Sequence, residues 1–125
     1  MVSKMENIQV KTLCQIRDVY RSIAEFEIGF QQTFDMSLNE GMLLCSLNKN
    51  RYSSSEIAEV LGLSNSNTSK VIKSVENKGM IKRIVGKDDK RQMYFILTEY
   101  GRKKLDAVKC GEFEIPELLK SFILR

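Results

Sequence analysis

From residue 6 to about residue 34, apolar side chains return every three or four positions. Leu13, Ile16, Tyr20, Ile23 and Phe30 form the main stripe, and Glu27 interrupts it. This spacing predicts one long helix. Val19, Ala24 and Phe26 widen its apolar surface beyond a single seam. Two readings fit such a helix: it packs on its own domain and on a second body, or it is a buried core helix.

Three further helices are marked by their starts. Ser37-Leu38-Asn39-Glu40 and Ser53-Ser54-Ser55-Glu56 have the S-x-x-E spacing of a capping box. There the serine oxygen accepts from the amide three residues on, and the glutamate reaches back. Ser64 is an N-cap for a helix running to Lys78, with Gly79 as its C′ stop. Only Leu61-Gly62-Leu63 joins the second of these helices to the third, a tight connection that predicts a helix-turn-helix.

After Gly79 the apolar period changes from about 3.6 to about 2. Residues 80–85 (MIKRIV) and 92–97 (QMYFIL) read as two strands around a turn that begins at Gly86. Thr98 caps another helix, from Glu99 to about Val108, and Gly111 breaks it. Pro116 opens a last short helix with Ile115, Leu118, Leu119, Phe122 and Ile123 on one side. These residues either dock on a partner subunit or cover the chain's own core. The predicted class is mainly α with a small β element (α+β): a winged helix-turn-helix.

Composition narrows the chemistry. The chain of 125 residues has material for one core, and its 42% hydrophobic and 29% charged residues are ordinary for a globular protein. No apolar run approaches the ~20 residues that span a bilayer. The opening MVSKMENIQVKT lacks the apolar stretch of a secretory signal, so a cytoplasmic location and no membrane contact are expected. There is no histidine, which removes the usual general base and the commonest transition-metal ligand. Cys14, Cys45 and Cys110 are too far apart for a C-x-x-C metal site, and their odd number argues against a disulfide framework. The expectation is no enzyme, no metal and no cofactor.

Net charge is +4, but between Ser64 and Arg91 eight Lys/Arg face three acids, so that segment is +5 and the remainder −1. A basic patch on a near-neutral body is the footprint of a nucleic-acid binder, though a merely solvated surface has the same signature. On a wheel of about 100° per residue, Thr68, Val71, Ile72 and Val75 share one side of the third short helix and face the core. The opposite side carries Ser66, Asn67, Lys70, Lys73, Ser74 and Asn77, with no carboxylate. Small polar residues allow close approach to a major groove, Asn pairs with an adenine edge, and Lys reaches guanine or phosphate. Ser66, Asn67 and Lys70, at the N-terminal end, are expected to read bases, and Lys73, Ser74 and Asn77 to position the helix. Ser53, Ser54 and Ser55 start a helix near the same surface and are candidate phosphate contacts.

Three stretches carry a family resemblance: Glu56-Ile57-Ala58-Glu59-Val60-Leu61-Gly62-Leu63-Ser64; Val71-Ile72 with Val75-Glu76-Asn77-Lys78-Gly79-Met80-Ile81; and Asp88-Asp89-Lys90-Arg91 with Leu97-Thr98-Glu99-Tyr100-Gly101. Over about residues 37–108 the chain resembles the multiple-antibiotic-resistance regulator (MarR) family of winged-helix transcription factors. The D-x-R wing followed by L-T-x-x-G is the more specific part. The resemblance implies a single domain over 1–125, with the DNA-binding winged helix at about 37–98 and dimerisation helices at 1–36 and 99–125. It implies a homodimer on a pseudopalindromic double-stranded DNA operator, with Arg91 in a flanking minor groove. It also implies a repressor released by a small-molecule effector. The C-terminal part, 27 residues after Thr98, is short for this family's dimer interface.

Two other readings bear on function. A winged helix also serves as a protein-interaction module, since fold alone does not settle function. Cys14 lies early in the first helix, where the hydroperoxide-sensing branch of the family keeps its reactive cysteine. Arg17 and Tyr20 are the nearby groups offered to stabilise a thiolate there; the other reading of Cys14, which the sequence favours, is a buried structural cysteine. At the wing, GKDDKRQ places acid among Lys87, Lys90 and Arg91. Asp89, two residues from Arg91, is expected to aim the guanidinium, lowering the ordering cost of binding.

Overall fold

A computed structural model describes residues 9–111 and 114–123; the predicted helix start at Glu6 lies outside them. Six helices and one hairpin follow in order: α1 Val10–Phe34, α2 Leu38–Ser46, α3 Ser54–Leu61, α4 Asn65–Asn77, β1 Ile81–Val85, β2 Met93–Leu97, α5 Glu99–Cys110 and α6 Glu117–Ile123. The order is that of a winged helix with flanking helices at both ends, as the periodicity predicts.

Local chemistry accounts for the boundaries. Ser37 and Ser53 form the two capping boxes, and Ser64 and Thr98 cap α4 and α5 through single side-chain bonds. The start of α2 has a further partner. Glu27, the residue that interrupts the apolar stripe of α1, accepts the Leu38 amide at 3.0 Å. Gly62, at φ 68°, ends α3 in a left-handed turn that lets α4 cross it.

The core gathers Phe30 and Phe34 of α1, Leu43 and Leu44 of α2, Ile57, Ile72, Val75, Met80, Phe95 and Leu105. Only the last turns of α1 contribute to it. Leu13, Ile16, Tyr20 and Ile23 are exposed, Tyr20 to 73%. Of the stripe that periodicity left open between core and second body, Phe30 joins the core, and the other four residues are not buried by the described residues. In α6, Leu119 is buried, while Leu118, Phe122 and Ile123 are exposed.

The hairpin pairs Ile81 with Leu97 and Val85 with Met93, each strand one residue shorter than expected. Gln92 leaves the ladder because its amide closes the turn on the Asp89 carbonyl, 3.0 Å away. Tyr52 adds a one-residue bridge to Phe95 ahead of α3. Behind the hairpin, Thr98 donates its hydroxyl to the Gly79 carbonyl at 2.6 Å, and Gly101 packs directly against the Met80 carbonyl. A side chain at position 101 would collide with that carbonyl. This contact accounts for the T-x-x-G spacing.

Candidate nucleic-acid interface

Helix α4 presents Ser66, Asn67, Lys70, Lys73 and Asn77 to solvent, while Thr68, Ile72 and Val75 are buried beneath them. The Ser64 hydroxyl accepts the Asn67 amide at 3.1 Å, and the Thr68 hydroxyl donates to the Ser64 carbonyl at 2.8 Å. These bonds hold the first turn in helical register. Among the described residues no carboxylate pairs with Lys70 or Lys73. The one acid on the helix, Glu76, is turned aside and held by Arg83 of β1 at 2.9 and 3.1 Å. Arg83 in turn lies over the Phe95 ring, 5.4 Å from its centre. Glu76 holds the Arg83 guanidinium pKa above its ordinary value through hydrogen bonding and charge.

Ser74 departs from the expected face. It is half-buried, and its hydroxyl donates to Glu40 Oε2 at 2.6 Å. The wheel angle alone put Ser74 with the DNA-facing residues; its flank position meets α2, where a buried carboxylate requires donors. Ser53 departs too. It is buried, and its hydroxyl accepts the Glu56 amide as the cap of α3, so it is closed to a phosphate. Ser54 and Ser55 remain exposed at the same helix start.

A cleft of about 530 Å³ separates α4 from the hairpin. Ser54, Ser69, Lys73, Asn77 and the Glu76–Arg83 pair line it, with the apolar Ile72, Met93 and Phe95. The start of α3, the middle of α4 and the base of the wing thus share one groove of mixed polar and apolar lining. At the wing tip Lys87, Lys90 and Arg91 are exposed. Asp89 Oδ1 accepts the Arg91 amide at 3.0 Å and lies 3.4 Å from Arg91 Nε. The carboxylate therefore shapes the turn chiefly through the backbone and touches the guanidinium only at long range.

Two residues at this surface escaped the sequence reading. Arg51, just before the second capping box, lies over the Tyr94 ring at 4.8 Å from its centre, an exposed cation at the base of the wing. Glu40 was read only as a capping residue. It is 5% exposed and accepts from three donors: the Ser37 amide of its own turn, and Ser74 and Lys78 at the end of α4. No local signal marks either contact, because each partner is distant in the chain.

Cys14 is half-buried on α1, away from this surface. Arg17, its expected helper, is turned to Asp18 at 3.2 Å, and Tyr20 is exposed. No helix of the described residues is long and apolar enough to cross a membrane.

Comparison with known proteins agrees with this geometry. The MarR family model matches residues 36–93. The fold is shared with AbsC, a MarR family transcriptional regulator from Streptomyces coelicolor, at TM-score 0.72 and 20% identity, covering 96% of this chain and 83% of that one. It is shared with the transcriptional regulator BldR from Sulfolobus solfataricus at TM-score 0.71 and 22% identity, covering 91% and 78%. MepR of S. aureus, in complex with DNA, superimposes at TM-score 0.72 and 20% identity, covering 94% and 85%. No curated protein matches the chain.

Proposed function

From a winged helix whose residues 36–93 match the MarR family model, we infer that this chain is a MarR-type transcriptional regulator that binds double-stranded DNA. One observation carries the reading: the solvent face of α4 is polar and cationic, and the nearest acid, Glu76, is drawn off it by Arg83. An ordinary exposed helix mixes Glu with Lys for i,i+4 pairing. Ser66, Asn67 and Lys70 read base edges, and Lys73, Asn77 and Ser54 hold the backbone along the cleft. Arg91 with Lys90 and Lys87 enters the flanking minor groove. The DNA complex of the structural neighbour MepR supports this use of the fold.

The chain acts as a homodimer in the cytoplasm. The exposed Leu13, Ile16, Tyr20 and Ile23 of α1 and Leu118, Phe122 and Ile123 of α6 form the apolar surface that a second copy covers. Residues 1–36 and 99–125 supply that interface, and the α4 helices of the two copies enter major grooves about one helical turn apart. The protein represses transcription and releases DNA on binding a small-molecule effector.

The test is selection of genomic fragments by the purified protein, followed by titration in salt. Enrichment of a pseudopalindrome, with affinity falling roughly a thousandfold or more between 50 and 200 mM salt, is the expected result. Recovery of fragments in the proportions of bulk DNA favours the protein-interaction reading instead.

A further inference from the structure

Glu40 sits between α2 and α4. Its Oε1 accepts the Ser37 amide at 2.8 Å and Lys78 Nζ at 3.0 Å, and its Oε2 accepts the Ser74 hydroxyl at 2.6 Å. Lys78 Nζ also donates to the Asp35 carbonyl at 3.0 Å, where α1 ends. Ser74 and Lys78 lie one turn apart on the same flank of α4, so the carboxylate grips that helix at two heights. The buried Thr68, Ile72 and Val75 seat α4 on the core, and directional contacts on its flank resist the roll about its axis that apolar packing leaves. On the other flank Arg83 holds Glu76, so α4 is gripped from both sides by groups outside its solvent face.

Roll is the motion to which base reading is most sensitive. Side-chain tips lie roughly 6 Å from a helix axis, so a roll of about 20° displaces them by about 2 Å. That displacement breaks a bidentate hydrogen bond to a base edge. Phosphate contacts by flexible lysines follow such a shift with little loss.

We propose that Glu40 is a positioning residue for DNA reading: through Ser74 and Lys78 it sets the roll of α4, and with it the base selectivity of Ser66, Asn67 and Lys70. The proposal rests on the DNA-reading role of α4 inferred above. It gives Ser74 a function without contact to DNA. Burial raises the cost of the Glu40 charge, but the Ser74 hydroxyl, the Ser37 amide and Lys78 outweigh it and hold the carboxyl below its ordinary pKa. The carboxylate that grips α4 is therefore ionised at neutral pH.

The experiment measures affinity for the selected operator and for an unrelated duplex of equal length, using the full chain and its Ser74→Ala, Lys78→Met and Glu40→Gln variants. Ser74→Ala keeps the α2 capping box intact, so it decides the matter if the Glu40 variant does not fold. Circular dichroism establishes that each variant compared is folded. The ratio of operator to unrelated affinity is expected to fall roughly tenfold in Ser74→Ala. The salt slope on the unrelated duplex stays that of the wild type. Adding Ser74→Ala to Glu40→Gln lowers the ratio little further, as for two ends of one contact. Equal weakening on both duplexes would mean that Ser74 touches phosphate directly and would overturn the proposal. So would an unchanged ratio in both Ser74→Ala and Lys78→Met. A wild-type protein with no selectivity removes the DNA-reading role itself; a selective wild type with insensitive variants removes only the part given to Glu40.

Discussion

Glu40 meets Lys78 at 3.0 Å with its carboxylate 7% exposed, whereas Asp89 meets Arg91 at 3.4 Å with the guanidinium 93% exposed. Both pairs belong to the same proposed DNA-binding surface, one behind α4 and one at the wing tip. The buried acid has lost water and recovers its solvation from Ser37, Ser74 and Lys78, so its partners are tied to one geometry. The exposed acid keeps its water, and a pair of that kind contributes little to stability. It biases a side chain without fixing it. On this proposed surface α4 is the rigid element and the wing tip the compliant one.

Substitutions divide along the same line. The largest effect is expected behind the rigid side, where Gly101→Ala drives a methyl into the Met80 carbonyl. Backbone rather than a flexible side chain must yield there, so stability should fall by about 3 kcal/mol or more in urea denaturation. A loss below about 1 kcal/mol would show that α5 shifts freely and that this joint is not rigid.

Glu40→Leu should cost about 2–3 kcal/mol, since Lys78 keeps partial access to water while Ser74 loses its acceptor. The pH dependence follows from the lowered carboxyl pKa. The unfolded chain binds this proton at higher pH than the folded one does. The ionised form therefore stabilises the fold fully above the usual carboxylate range, and the contribution disappears as pH falls through the lowered value. Acid unfolding of Glu40→Gln should lack that part of the decline. An acid limb identical to the wild type would mean that the buried carboxylate is not coupled to folding.

The smallest effect is expected at the wing. Asp89→Ala should leave thermal stability within error and lower affinity for operator DNA by about twofold to fivefold, although it adds a positive charge. Arg91→Ala marks the full loss, most evident on sites with narrow, A·T-rich flanks. A gain in affinity from Asp89→Ala would show that net charge, and not the shape of the turn, governs the wing.

The order of elements was legible because it rests on short-range physics. The capping boxes at Ser37 and Ser53, the stop at Gly79 and the change of apolar period after it all lie within a few residues of the structures they specify. The carboxylate-free face of α4 was legible for the same reason, save at its edge. A helical wheel gives an azimuth but not a neighbour, so the Glu40 partner of Ser74 and the burial of Ser53 come into view only in the fold.

By itself, then, the sequence determined the winged-helix class, the local caps, the basic stretch and the exposed face of α4. Tertiary structure alone decided the long-range pairings: Glu40 with Ser74 and Lys78, Arg51 with Tyr94, Thr98 with Gly79, Glu27 with the start of α2. It also decided that Leu13, Ile16, Tyr20 and Ile23 of α1 are left uncovered by the described residues. The reason is physical. Helical periodicity and capping are set by neighbours three or four residues apart, whereas a buried carboxylate takes whichever donors the packing of distant helices brings within 3 Å.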